Sequence, residues 1–452
     1  MSSLPNKISG FLSKENLSKE IKINDPKIVD IFSFFLIELY LLFPLLENIY
    51  SGLFKATMYD LSSNWNYIVA VLGTVLLIIK IRNSRPTKTD IKDYLKRNPI
   101  IILFVCFFMW IIISSLFNLN NPYLFFGTLN QKEGILTFTG YIIYFFLAMY
   151  IDEKYQKHLL RTIVAVSGIV CLLYIIFMLS GQTILTFADN LALFANCNHS
   201  AYYMNVAGIV AAVSFMLSKD TKTKIISMIS FVLNAEALLL NNTLGALIGM
   251  IVGLMFSVLV ISLCKKKLTL YPLVFIAIMA LLVFLNRFIC PDLYNQTVSS
   301  FVRMFSDASQ VSKGKDSITG HEGSGRLALW LRTIDYIKER PIVGFGPDGT
   351  AERLSMELKT INTRVHNEYL YYAVSFGIPG LLLYLSCILN VYFRGLFNRD
   401  RLSTVQIVGL TAAFAYFVSA FFGNTKWYSA PYAYIMLGLG YYIKGSKEYA
   451  GE

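Results

Sequence analysis

The stretch 100-IIILFVCFFMWIIISSL-116 carries no charge, no glycine and no proline. A hydrocarbon core about 30 Å thick takes roughly 20 residues of helix to cross, and it tolerates only backbone whose polar groups pair within the segment. Such a run reads as a membrane-spanning helix. Outward from it, further apolar stretches start near Ile28, Tyr67, Ile135, Leu159, Ala201, Ile225, Leu244, Leu268, Glu368, Val405 and Trp427. The whole chain agrees: 452 residues, 55% hydrophobic and 15% charged, with mean hydropathy +0.55, exclude an ordinary water-soluble globule. The expected fold class is an all-α polytopic membrane protein with about twelve transmembrane helices and one large extracytoplasmic loop.

Orientation follows from Lys and Arg, which are kept out of short translocated loops. With the N-terminus inside, 26 of the 40 fall on cytoplasmic pieces and 11 in the segment from Arg287 to Val365; only Lys55, Lys132 and Lys426 remain outside. Both termini are therefore expected in the cytoplasm and the long segment outside. The formal charge of +12 is spread over short cytoplasmic loops, which suits anionic lipid and insertion bias and gives no reason to invoke nucleic acid. The first apolar run is long enough to stay as an anchor after the polar stretch from Met1 to Lys27.

The expected organisation is a cytoplasmic segment 1–27, nine helices over 28–286, the outer loop 287–365, three helices over 366–444, and a tail 445–452. Gly245, Gly249 and Gly253 share one helix face, where a neighbouring backbone can come close. Tyr123, Tyr202, Tyr203, Tyr369, Tyr371 and Tyr372 lie at span ends and suit an interfacial aromatic belt. Glu38 and Glu236 fall within spans, where an acid is costly, and so count as functional candidates, although a hydrogen bond to a neighbouring helix would also account for them. The six cysteines show no C-x-x-C pattern; Cys197 and Cys290 both fall near outer ends, where a disulfide is a minor alternative.

The outer loop carries the chemistry. After Gly323-Ser324-Gly325, apolar Leu327, Trp330, Leu331, Ile334 and Ile337 recur at helical spacing, with Arg332, Asp335, Lys338 and Glu339 on the other face. This pattern predicts an amphipathic helix of about 14 residues, capped by Ser324 and ended by Pro341, lying along the outer membrane surface or on the bundle. Arg326 would sit in its first turn, where unpaired N–H groups attract anions and a guanidinium adds bidentate bonds to phosphate. A surface arginine paired with Glu322 fits the same sequence. Gly344-Phe345-Gly346-Pro347-Asp348-Gly349 matches G-x-G-x-x-G, but it follows a helix-ending proline on the outer face and reads as a tight turn.

His366 stands where the loop re-enters the membrane, after Arg364 and before Glu368. Imidazole is the side chain best suited to take a proton from a hydroxyl near neutral pH, though an amphipathic surface histidine would also sit there. No histidine pair has zinc-ligand spacing, and neither a nucleophile elbow nor a P-loop is present.

Taken in order, Arg326-x-x-x-Trp330, Arg340-Pro341-Ile342-Val343-Gly344-Phe345-Gly346, His366-Asn367-Glu368-Tyr369-Leu370 and Gly377-Ile378-Pro379-Gly380-Leu381-Leu382 resemble the O-antigen ligase and polymerase family of bacterial envelopes. Asn196-Cys197-Asn198-His199 before Ala201-Tyr202-Tyr203 looks like that family's pattern ahead of the sixth span. The resemblance implies a membrane glycosyltransferase of the large GT-C-like polytopic fold in the bacterial inner membrane. Its donor would be a polyprenyl-diphosphate-linked glycan, and it would act at the outer face without cofactor or metal. Carried over by position, Arg326 corresponds to an arginine that holds the diphosphate and His366 to the base that deprotonates the acceptor, while Asn198 and His199 count as substrate-binding candidates.

One position departs from the pattern. Where the family often has an arginine before the eighth span, this chain reads Thr243-Leu244-Gly245-Ala246, and Leu244 cannot bind phosphate. Lys132, Arg303 and Arg364 are the candidates for a second cation. A polymerase that extends a lipid-linked glycan is the leading expectation, ligation of finished glycan to another acceptor the near alternative, and a glycolipid transporter or flippase the alternative from another class. Partners would be the lipid-linked glycan, its acceptor, membrane lipid and other export proteins.

Overall fold

The computed structural model describes residues 26–54, 58–84, 86–129, 131–180, 194, 196–265, 270–292, 294–299, 302, 326–358, 364–424 and 426–443. Over most of the described residues apolar sequence becomes helix, because inside hydrocarbon only a helix pairs all of its own backbone. The first helices are α1 (Pro26–Phe54), α2 (Met58–Ile68), a π turn (Val69–Gly73), α3 (Thr74–Asn83), α4 (Lys88–Arg97) and α5 (Ile100–Leu116). Then come α6 (Ile135–Tyr150), α7 (Glu153–Ser180), α8 (Cys197–Leu217), α9 (Thr221–Asn241), α10 (Leu244–Lys265) and α11 (Tyr271–Ile289). Last are α12 (Arg326–Glu339), α13 (Ala351–Leu358), α14 (Glu368–Phe397), α15 (Thr404–Ala420) and α16 (Ala430–Gly440).

Eight helices among the described residues are long and apolar enough to cross a membrane: Lys27–Leu46 within α1, Leu61–Asn83 across the π turn, α7 to α11, and α14. Counted as one element bent by 90°, α4 and α5 add a ninth. The chain is thus a multi-pass membrane protein, and the twelve-span expectation is met in part. Helices stand at every expected position, but α6, α15 and α16 have only 16, 17 and 11 residues. Most of their side chains are buried against other helices, so neighbours, rather than lipid, surround these short elements. Two starts move by more than one helical turn, α2 to Met58 and α7 to Glu153, and others, such as α8 at Cys197 and α9 at Thr221, by about one turn.

The buried centre is made by α8, α15 and α16, with α8 against α9, α10 and α15, and α16 against α6 and α15. On the periphery, exposed Ile102, Val105 and Met109 of α5, or Leu281, Phe284 and Phe288 of α11, lie three or four residues apart. That spacing gives each helix one apolar face for lipid. The glycine stripe of α10 does what its spacing requires: a Cβ on Gly249 would stand 2.1 Å from Ser419 Oγ, and one on Gly253 2.6 Å from Ala415 Cβ. Small residues let α10 and α15 approach closely.

One expectation is corrected, and one minor alternative drops out. Tyr202, Tyr203, Tyr371 and Tyr372 are buried inside the bundle rather than lying in an interfacial belt. Interior partners make this tolerable for Tyr202, Tyr371 and Tyr372, for example Tyr372 and Tyr434 hydroxyls 3.1 Å apart, while Tyr203 rests on ring packing against Phe194 and Tyr432. Cys197 and Cys290 are both free thiols, so no disulfide joins them.

Candidate active site

The expected helix forms, with α12 running from Arg326 to Glu339, but the side chains it buries are Leu329, Thr333 and Tyr336, while the expected apolar stripe of Leu327, Trp330, Leu331 and Ile337 is half-buried and Ile334 is exposed. It packs on α14; its expected cap Ser324, with His321 and Glu322, lies outside the described residues. Beyond Pro341 the chain turns through Gly344 (φ 65°) and Gly346 (φ 77°), left-handed backbone that glycine adopts without steric cost. This turn docks where α14 breaks.

At the break, Gly377 has φ 72° and ψ 176°, so helical pairing is interrupted. Carbonyls freed inside a membrane need new partners. Phe345 N–H donates to Val374 O at 3.0 Å and Gly346 N–H to Ser375 O at 2.8 Å, while Trp110 Nε1 donates to Phe376 O at 2.8 Å. In return Ile378 N–H donates to Pro341 O at 2.8 Å. Asn118 and Asn121, at the end of α5, clasp the turn from the other side, donating to Gly344 O (3.2 Å) and Pro347 O (2.9 Å). The broken helix is therefore a seat for the outer loop.

Asp348, the acid of that turn, is a hub. One oxygen accepts from Tyr371 OH at 2.9 Å and faces Arg364 Nη2 at 3.3 Å, and the other accepts from Thr128 N–H at 3.0 Å. Arg364 and Asp348 side chains are 3% and 1% exposed, and the guanidinium lies 4.8 Å over the Tyr371 ring. Such a pair holds together because neither charge has water to fall back on. Beside it, buried Glu133 accepts from Tyr141 OH at 2.7 Å. Burial pushes the Glu133 carboxyl up to about 7, although Arg364 and the Tyr141 hydroxyl oppose the shift.

His366 sits against this hub at the N-terminus of α14. Its N–H donates to Asn424 Oδ1 at 2.7 Å, its Nδ1 lies 3.3 Å from Asn424 Nδ2, and its carbonyl accepts from Trp330 Nε1 at 3.3 Å. Trp330 is one helical turn from Arg326, whose charge is close enough to act on the imidazole. Burial holds the His366 ring down to about 4, and Arg326, Arg364 and Lys426 add their positive charges in that order. A neutral imidazole beside several cations results.

On the far side, buried His199 contacts Ser429 Oγ at 2.8 Å and meets the Tyr428 ring edge-on at 4.9 Å. Lys426 Nζ lies 5.1 Å from the Trp427 ring centre and Lys132 Nζ 5.9 Å, so two cations share one indole. Lys132 also donates to Ser63 Oγ at 3.0 Å. Burial pushes the Lys426 amine down to about 7; Arg364 lowers it further, and Glu133 and Asp348 resist. Asn198 is half-buried in the first turn of α8, its N–H donating to Asn196 Oδ1 at 2.9 Å.

Backbone strain marks the same place. The non-glycine residues with positive φ among those described are Lys132 (48°), Asn242 (57°), Asp348 (52°) and His366 (53°). Three of the four lie in this cluster, where tertiary contacts hold a backbone that few residues adopt. The structure therefore gathers Arg326, Arg364, His366, His199 and Lys132 at one end of the bundle, whereas Arg303 lies outside the described residues. Leu244 opens α10. Sequence reading missed Asp348, Glu133, Asn424 and Ser429, and counted Lys426 only as an outer cation. The available signal was an acid within a turn and one just before a span, both costly to bury unless partnered.

Comparison with known proteins bears on this cluster. Residues 229–385 match a family model described as O-Antigen ligase, so the resemblance drawn from the loop motifs holds over that region. It contains Arg326, Asp348, Arg364, His366 and the break at Gly377. An uncharacterized protein of Haemophilus influenzae is 23% identical over 412 residues, covering 86% of this chain and 97% of that protein.

Proposed function

We propose that the chain is a glycosyltransferase of bacterial envelope polysaccharide synthesis, acting at the outer face of the inner membrane with both termini in the cytoplasm. It takes a glycan from a polyprenyl diphosphate donor and joins it to a sugar hydroxyl of a second lipid-linked glycan. The observation that supports this reading is the bond from Trp330 to the His366 main-chain carbonyl, which ties the helix of Arg326 to the segment that carries His366. In this reading a general base and a phosphate-binding cation act on one donor.

In the proposed step the acceptor oxygen attacks the anomeric carbon of the donor. His366 takes the hydroxyl proton, the bond from that carbon to the phosphate oxygen breaks, and the polyprenyl diphosphate leaves with the electron pair. Because a diphosphate is a good leaving group, the protein's work is to align the two glycans, hold the growing negative charge and accept one proton. Arg326 holds that charge, and Lys426 or Lys132 supplies the second cation that Leu244 cannot. Arg364, buried against Asp348, serves by keeping the loop seated. His199 and Asn198 line the acceptor side.

Ligation would use the same parts, and the description of the matching family model favours keeping it as the second reading. Transport draws less support. Glu38 accepts from Thr162 Oγ1 at 2.6 Å and lies 3.4 Å from His158 Nε2, and Glu236 accepts from Asn286 at 3.2 Å. These acids have local partners, and the helix break seats a loop.

The test is to give purified protein a polyprenyl-diphosphate oligosaccharide and measure free lipid diphosphate together with glycan length. Release with longer lipid-linked chains supports polymerisation, and release only when a different acceptor is added supports ligation. Intact donor moved between leaflets would overturn the enzyme reading.

A further inference from the structure

At the other end of the same helices, a cavity of about 150 Å³ opens between α10, α14 and α15. Phe256, Leu259, Val260, Tyr392, Leu396 and Leu410 form most of its wall, and Arg399 stands at its rim. The site described above lies at the opposite ends of these helices, where α10 and α14 begin and α15 ends. A cavity of this size with an apolar wall stays dry and takes an apolar guest.

The rim is positively charged. Arg399 and Arg401 occupy the single 3-10 turn between α14 and α15, and α10 closes with Lys265. All three are exposed. Lys265, Arg399 and Asp400 are close enough to act electrostatically on the Cys264 thiol, which itself lines the cavity. Two of these cations, Lys265 and Arg399, against one acid leave the mouth basic. Arg394 is excluded from this rim, because its guanidinium donates to Tyr442 O at 2.6 Å and to Asn98 Oδ1 at 3.0 Å.

An apolar slot that faces the bilayer and ends in cations combines the two halves of a phospholipid. A segment of an acyl chain fits between the helices while the rest lies along the bilayer, and a negative headgroup meets the arginine at the level where headgroups lie. We infer that this cavity is a binding site for one anionic phospholipid, with an acyl chain against Tyr392 and Leu259 and its phosphate at Arg399. Zwitterionic lipid supplies the same chains with no net charge for the rim. The site is independent of glycan transfer, and its test needs no activity.

The experiment is native mass spectrometry of full-length protein in detergent, titrated separately with phosphatidylglycerol and phosphatidylethanolamine. The wild type should retain one phosphatidylglycerol with about five- to thirtyfold preference, the scale expected from one or two interfacial cations. Arg399→Ala should cut the preference by about fivefold while leaving residual binding, and Leu259→Trp, which fills the slot from a half-exposed position, should weaken both lipids. Arg399 is exposed, and an unchanged size-exclusion profile would show that the variant folds. Equal retention of the two lipids by the wild type, or an unchanged preference in Arg399→Ala, would overturn the assignment.

Discussion

Asp348 and Arg364 form a buried ion pair, 3.3 Å apart and almost closed to solvent, that ties the turn after α12 to the strand of chain entering α14. Thr128 and Tyr371 bond to the same carboxylate, so three separate segments meet on one acid. The pair sets where the loop sits, and through the loop where the helix of Arg326 lies relative to His366.

Removing one partner should therefore cost more than removing both. Asp348→Ala leaves a guanidinium in a closed interior and should destabilise the protein by about 3–5 kcal/mol. The double variant Asp348→Leu with Arg364→Met should lose less. Thermal unfolding in detergent decides this, and equal losses for the single and double variants would count against a hub.

Arg326→Ala should abolish release of lipid diphosphate while the protein stays folded in the membrane. Arg326→Lys should restore little, because an ammonium lacks the bidentate fork. Wild-type release by either variant would take Arg326 out of the site.

His366→Ala should lower turnover by roughly 10²- to 10⁴-fold, with donor binding less affected. Since burial and its cationic neighbours hold the ring near 4, the base is already neutral at pH 7, and the acid limb of the rate profile should fall only as pH drops through about 4. Lys426→Gln removes one repelling charge and should move that limb to higher pH. A limb that stays put in this variant would show that the two residues do not sense each other.

Lys426 should make donor binding depend on pH in the opposite sense. Its amine, held near 7 by burial and Arg364, is charged below that pH and neutral above it, so affinity for a diphosphate donor should weaken as pH rises through 7. Lys426→Arg should flatten the dependence. The same shift also affects folding: the unfolded amine binds its proton up to its ordinary pKa of about 10.4, so this group's contribution to stability rises with pH from about 7 to 10. Calorimetric titration at several pH values measures the binding part.

Gly377→Ala should loosen the seat. Its backbone is left-handed, and an added Cβ would stand 1.9 Å from Ile342 O. The conformational cost alone is about 1–3 kcal/mol, because this region of φ and ψ is essentially restricted to glycine, and the clash adds to it. Faster hydrogen exchange at Phe345 and Gly346 N–H would report a displaced loop, and unchanged exchange would refute the seating role.

The sequence by itself determined that the chain is helical and membrane-embedded, because length and apolarity act locally and every spanning segment must pair its own backbone. It also marked α12 by its periodicity, the break at Gly377 by Gly-Ile-Pro-Gly, and Arg326 and His366 by their motifs. Only the tertiary structure decided that Tyr202 and Tyr372 turn inward, that Glu133, Asp348 and Lys426 join the cluster, and that Arg364 is closed off against an acid. These facts depend on burial and on partners from distant segments, such as Asn118 meeting Gly344 across 226 positions. Local spacing carries no information about such contacts, which exist only once the helices have packed.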